Sequence, residues 1–226
     1  MGLTVGQLSL THLVRRPAER NQASPPSVIL LHGVGSNERD LFGLAPELDP
    51  RLFIVSARGP LTRSPGSYAW FPVQFTPTGF LIDEDEAENS RLLVLRFTGE
   101  IVAEYGLDPR RVFLMGFSQG CIMSLYAALT EPERFRGVVG MSGRLLPQAV
   151  TKMAPADRLR GFPILVVHGT EDTTIGIDYG RSIREQLGKL PVDLEYREYP
   201  MGHWVSSASL AHAKAWLTRH VDATQP

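Results

Sequence analysis

Short, mostly apolar runs recur along the chain, separated by stretches whose spacing suits helices. "VILLHG" (28–33), "LFIVSA" (52–57), "RVFLMGF" (111–117), "GVVGMSG" (137–143) and "PILVVHG" (163–169) are each bounded by Gly or other small residues. Continuous apolar runs of this length suit strands buried on both faces, which predicts a mainly parallel sheet with helices on either side. "VDLEYREY" (192–199) alternates instead, as an edge or half-exposed strand does. "QLSLTHLV" (7–14) alternates in part and predicts an antiparallel edge strand.

Between these runs, "DEDEAENSRLLVLRFTGEIVAEYG" (83–106) opens on acids, which favour a helix N-terminus, and ends at Gly106. Leu92, Leu95, Ile101, Val102 and Tyr105 approximate its apolar face. "SQGCIMSLYAALTEP" (118–132), "DYGRSIREQLGKLP" (178–191) and "SASLAHAKAWLTRH" (207–220) predict three more helices. Alternation of strand and helix points to a single α/β domain over residues 1–226 with right-handed crossovers and no large cap domain. The one long irregular stretch is 57–83, rich in Pro, Gly and aromatics. It reads either as an active-site loop or as a surface excursion packed by its own aromatics.

Composition narrows the function classes. The chain has 226 residues and a net charge of −1, which argues against nucleic acid or an acidic membrane surface as the main partner. One cysteine, Cys121, excludes an internal disulfide framework and fits a reducing compartment. The start of the chain lacks the pattern of a signal peptide, and no apolar segment approaches a membrane span. A soluble cytoplasmic protein without integral membrane contact is expected.

Candidate chemistry centres on "GFSQG" (116–120). The Gly-x-Ser-x-Gly pattern is weak alone, but here an apolar strand precedes Ser118 and a helix follows it. That context predicts a sharp elbow lifting the serine above the sheet, rather than a serine that merely caps a helix. A serine nucleophile needs a base, an acid that orients the base, and donors for an oxyanion. "VVHGTEDTTI" puts Glu171 and Asp172 just beyond a buried strand, where the ligand crevice of an open α/β sheet lies. Asp172 is the preferred acid; Glu171 stays open at this stage.

Among six histidines, His203 in "EYPMGHWVSS" lies in a strand-to-helix loop after both serine and acid. His12 and His32 precede the serine, His168 fits a role in shaping the acid's turn, and His212 and His220 fall on the last helix, where solvation is expected. Chain order Ser118, Asp172, His203 is that of α/β-hydrolases. The N–H of Gln119 and that of Val34, between Gly33 and Gly35, are the candidate oxyanion donors. "GVG" does not extend to the dinucleotide fingerprint, since no Gly stands where its last Gly would fall. No His/Cys cluster has metal-ligand spacing, so neither a metal nor another cofactor is called for.

These motifs, "LLHGVGSNERDL", "RVFLMGFSQGCIMSLYAAL", "GVVGMSGRL", "PILVVHGTEDTTI" and "MGHW", resemble the phospholipase/carboxylesterase family of α/β-hydrolases, which includes acyl-protein thioesterases. The resemblance spans roughly residues 28–217. It implies hydrolysis of carboxylic esters or thioesters through an acyl-enzyme without a cofactor. It also implies Asp172 rather than Glu171 as the acid, with Val34 and Gln119 as the oxyanion pair. Dienelactone hydrolases look similar in architecture but use cysteine where this chain has Ser118; Cys121 reads as a buried small residue. Two departures concern the pocket rather than the triad. "TTIGI" follows the acid where the family commonly has Val-Pro, and "YAWFPVQF" lacks the acid that often follows its aromatic pair.

Trp70, Phe71, Ile175 and Trp204 are the candidates for an apolar substrate pocket, with Phe75 read as packing. The expected substrate is a small-molecule ester of small to medium acyl chain, with a thioesterase or lysophospholipase as the alternative. A non-catalytic ligand-binding α/β-hydrolase is the reading from a different class. It fits poorly with a chain that keeps serine, acid, base and oxyanion glycines together.

Overall fold

The computed structural model describes residues 8–18, 23–76 and 79–222. Along the chain run β1 (His12–Arg15), β2 (Ser27–Leu31), α1 (Arg39–Phe42) and β3 (Phe53–Ala57). Two hairpins follow, β4 (Leu61–Ser64) with β5 (Ser67–Ala69) and β6 (Val73–Thr76) with β7 (Gly79–Ile82). Next come α2 (Glu84–Tyr105), β8 (Val112–Phe117), α3 (Gln119–Thr130), β9 (Gly137–Met141) and α4 (Pro147–Thr151). The chain continues through β10 (Pro163–Gly169), α5 (Ile177–Leu187), β11 (Asp193–Tyr199) and α6 (Ser207–Asp222).

Seven strands form the central sheet in the order β1-β3-β2-β8-β9-β10-β11. Only β1 runs antiparallel, against β3; the other neighbours are parallel. The alternating segments therefore take the two edges and the continuous apolar runs the interior, as their patterns predict. Strand β2 shows why a buried parallel strand has no polar face. Ile29 and Leu31 join one core with Val94, Phe97 and Leu125, while Val28 and Leu30 join a second core with Leu41, Trp216 and Leu217. Each such buried side chain contributes about 1.5–3 kcal/mol relative to exposure. Helices α2, α3 and α5 cover the first face, and α1 and α6 the second. This is the doubly covered architecture of an α/β-hydrolase, with no cap domain among the described residues.

Helix α2 begins as its acids predict: the Asp83 side chain accepts the Glu86 N–H at 3.0 Å, and Gly106 closes the helix at φ 64°. Of its expected apolar face, Leu95 and Ile101 are buried and Val102 and Tyr105 pack against the core, and Leu92 alone departs. Ala87, Ser90, Arg91, Val94, Leu95, Phe97, Thr98 and Ile101 are buried, whereas Leu92 is exposed. Leu92 sits about 100° around the helix from each neighbour in sequence, and the stripe set by 87, 90/91, 94 and 97/98 turns it outward. The stretch 57–83, irregular by sequence, forms the two hairpins. No helix among the described residues is long and apolar enough to cross a membrane.

Candidate active site

Ser118 occupies the join of β8 and α3 with φ 55° and ψ −117°, a positive φ that L residues rarely adopt. Small neighbours make the turn possible. A Cβ on Gly116 would collide with the Gly120 carbonyl, and one on Gly120 would collide with the Leu31 carbonyl at the end of β2. Strain at one serine is thus held by close backbone packing on two sides. Ser118 N–H donates to the Met141 carbonyl at 2.9 Å, tying the elbow to the end of β9.

Asp172 and His203 come from the loops after β10 and β11. Asp172 is buried; its Oδ1 accepts the N–H groups of Thr174 at 2.9 Å and Ile175 at 2.8 Å. Its Oδ2 faces His203 Nδ1 at 2.7 Å. With Nδ1 donating to the carboxylate, Nε2 is left as acceptor, and it lies 2.9 Å from Ser118 Oγ. Phe117 packs against the imidazole, ring centroids 4.8 Å apart. The side chain of Glu171 is exposed, and its backbone N–H donates to the Met201 carbonyl at 3.1 Å, docking the acid's loop on the base's loop. Ser118, His203 and Asp172 therefore form one hydrogen-bonded chain, and the Glu171 side chain stands outside it.

His168, fully buried, has Nε2 2.7 Å from the Ile175 carbonyl. Burial lowers its pKa, which keeps it neutral, so Nε2–H donates to that carbonyl and fixes the turn that carries Asp172. His32 is positional too, a role the sequence reading did not assign. Its Nε2 accepts the Gly59 N–H at 2.9 Å, so Nδ1 carries the proton and donates to the Gly33 carbonyl at 2.7 Å. Burial again lowers the pKa. The neutral ring joins the Gly33–Gly35 loop to the base of the hairpin segment.

The Gln119 side chain joins two elements. It accepts the Trp70 N–H at 2.8 Å and donates to the Phe71 carbonyl at 2.7 Å, clamping the hairpin segment onto the elbow. Trp70 is correspondingly fully buried, its indole N–H donating to the His32 carbonyl at 2.9 Å. It anchors the segment and does not line the cleft. Trp204 does not line it either. Its ring lies over Gly202, where an added Cβ would strike it, and the side chain is 57% exposed. The side chain of Phe75 lies outside the described residues.

The remaining candidates do converge. A cleft of about 270 Å³ is lined by Val34, Phe71, Ser118, Gln119, Ile175 and His203, together with Val73, Phe80 and Ile82 from the second hairpin. Arg144, from the loop after β9, also lines it, as does Asp40. Neither was singled out by sequence. Cys121 is fully buried, and burial pushes its thiol up to about 12, so it stays a neutral packing residue. Of the two histidines expected to be solvated, His212 is half-buried and His220 is buried. His212 Nε2 lies 2.6 Å from Glu195, and His220 is buried with Nδ1 on the Trp216 carbonyl at 2.8 Å.

Residues 14–221 match the profile of the phospholipase/carboxylesterase family. The chain belongs to that family. Acyl-protein thioesterase 1 of Gibberella zeae is 32% identical, over 70% of this chain and 69% of that one. Carboxylesterase SOBER1 of Arabidopsis thaliana is 28% identical, over 75% of this chain and 76% of its own length. Among solved structures, esterase PE8 superposes with a TM-score of 0.83 at 27% identity, covering 93% of this phospholipase/carboxylesterase family member and 98% of itself.

Proposed function

We propose that the protein is a serine carboxylesterase that cleaves esters of small to medium acyl chain through an acyl-enzyme on Ser118. Family membership supports hydrolysis of ester bonds. The mechanism rests above all on one observation: Ser118 Oγ, His203 Nε2, His203 Nδ1 and Asp172 Oδ2 follow one another at 2.9 and 2.7 Å beside an apolar cleft.

In this reading His203 takes the Ser118 proton as Oγ attacks the ester carbonyl, and Asp172 stabilises the imidazolium. The tetrahedral oxyanion takes the N–H groups of Val34 and Gln119. His203 then returns the proton to the departing alcohol. His203 next takes a proton from a water that attacks the acyl-enzyme and returns it to Ser118 Oγ as the second tetrahedral intermediate collapses, releasing the carboxylic acid and free Ser118. Phe71 and Ile175 supply apolar walls. A cleft of about 270 Å³ sits just below the range of roughly 300–1,000 Å³ typical of drug-sized ligands, which favours shorter acyl groups.

The test is a chain-length series of p-nitrophenyl esters with a rapid-quench burst measurement. A burst of p-nitrophenol equal to the enzyme concentration, strongest for short to medium chains, is expected; hydrolysis without an acyl-enzyme would refute the mechanism. A thioesterase is the second reading, favoured by the likeness to acyl-protein thioesterase 1. Matched oxygen and sulfur esters separate the two by leaving group. A cytoplasmic location is part of the same proposal, supported by the single buried cysteine.

A further inference from the structure

Arg144 is the one arginine or lysine lining the cleft among the described residues, and its setting differs from that of the arginines held in ion pairs. Arg58 pairs with Glu38 at 2.7 Å, Arg91 with Glu88 at 2.7 Å, and Arg181 with Glu198 at 3.0 Å. Arg144 has no carboxylate partner among the described residues. It is held by two aromatic rings: its Cζ lies 4.7 Å from the centroid of Phe80 and 5.5 Å from that of Tyr179. The Tyr179 side chain also favours its charged form.

The backbone delivers this side chain to the reacting centre. Ser142 turns the chain at φ 50° with its N–H on the Val167 carbonyl at 2.9 Å. Gly143 then lies against the elbow, where an added Cβ would stand 2.5 Å from Cys121 Sγ and 3.1 Å from the Ser118 carbonyl. Arg144 follows immediately.

A guanidinium is planar, and its donors point outward in that plane. Contact with the two rings restrains the guanidinium while leaving N–H groups available to an acceptor that enters from the cleft. Burial opposes the charge here, with no acid to offset it. The other charged group of the cleft, Asp40, is bound to Ser36 Oγ at 2.7 Å and is not paired with Arg144. It disfavours an anion on its own side. The cleft thus combines apolar walls with two charged side chains, Asp40 and Arg144.

We propose that Arg144 is a specificity residue that binds a carboxylate on the substrate, so that the preferred substrates are esters bearing an anionic carboxylate. The inference rests on the esterase reading and narrows its substrate class. A competing role, in which Arg144 only fastens the second hairpin to α5, predicts equal effects on charged and neutral substrates.

The experiment compares p-nitrophenyl butyrate with mono-p-nitrophenyl glutarate, whose carboxylate is on the acyl side. It also compares phenyl butyrate with m-butyryloxybenzoate, whose carboxylate is on the alcohol side. Wild type, Arg144→Gln and Arg144→Lys are measured with each pair. One carboxylate ester should exceed its neutral match in kcat/KM by about tenfold or more in wild type, and which one does so identifies the side. That ratio should fall about 10- to 100-fold in Arg144→Gln and be partly retained in Arg144→Lys. A wild-type ratio near one for both pairs, or a ratio unmoved by Arg144→Gln, overturns the proposal. Calorimetric binding of glutarate and butyrate to Ser118→Ala separates the two readings. Glutarate binding that is lost when Arg144→Gln is added, alongside a wild type that turns over no ester, supports the anion site and refutes the esterase. Turnover of neutral esters with no preference for glutarate refutes the anion site alone.

Discussion

The side-chain carbonyl of Gln119 accepts the backbone N–H of Trp70 at 2.8 Å, so the residue after the candidate nucleophile also holds the wall of the pocket. The same amide donates to the Phe71 carbonyl at 2.7 Å. Elbow and hairpin segment are thereby one mechanical unit.

Gln119→Ala should leave two buried backbone groups unpaired, at a cost of about 1–3 kcal/mol each, while keeping the backbone N–H proposed for the oxyanion. Thermal unfolding should show a clear fall in Tm, by about 2–4 °C for each kcal/mol lost in a chain of this size. An unchanged Tm would mean that the clamp is not formed in solution.

Asp172→Asn should lower kcat by about a thousandfold or more, because the amide no longer enforces the His203 tautomer that leaves Nε2 as acceptor. Glu171→Gln should stay within about threefold of wild type, since that side chain touches neither serine nor histidine. Steady-state kinetics on one neutral ester decide the matter. The reverse ranking would assign the acid to Glu171.

Stability should fall with acid between about pH 6.5 and pH 5, above the range in which the carboxylates titrate. His32, His168 and His220 are buried, and burial lowers the pKa of each. The unfolded chain therefore binds more protons than the folded one in this window. Stability is complete above the unfolded value near 6.5 and is lost as pH falls through it, by up to about 1.4 kcal/mol per pH unit for each histidine. Urea midpoints at a series of pH values test this, and a flat profile across the window would contradict it.

Much of the fold was legible in sequence because a strand buried on both faces can only be an unbroken apolar run, as "VILLHG" and "PILVVHG" are. Ser118, Asp172 and His203 were legible because each follows a strand end, where the crevice of such a sheet must lie. The hairpins of 57–83 were not. Their strands have three or four residues each and are broken by Pro and Gly, too short for alternation to stand out. Trp70 misled for a physical reason: an indole carries a polar N–H, and here the His32 carbonyl draws it inward, away from the cleft. Arg144 carried no local signal at all. Its significance lies in Phe80 and Tyr179, residues far apart in sequence that meet around it only in the folded chain. The roles of His32 and the Gln119 amide likewise depend on backbone groups that no sequence pattern brings together.

The central claim is that Ser118 is a nucleophile activated by His203. Intact-protein mass after treatment with a fluorophosphonate tests it most directly, with wild type beside Ser118→Ala and His203→Ala. A single phosphonyl adduct on wild type, absent from Ser118→Ala and formed far more slowly on His203→Ala, is the predicted result. No adduct on folded wild type, or an adduct that persists in Ser118→Ala, would contradict it.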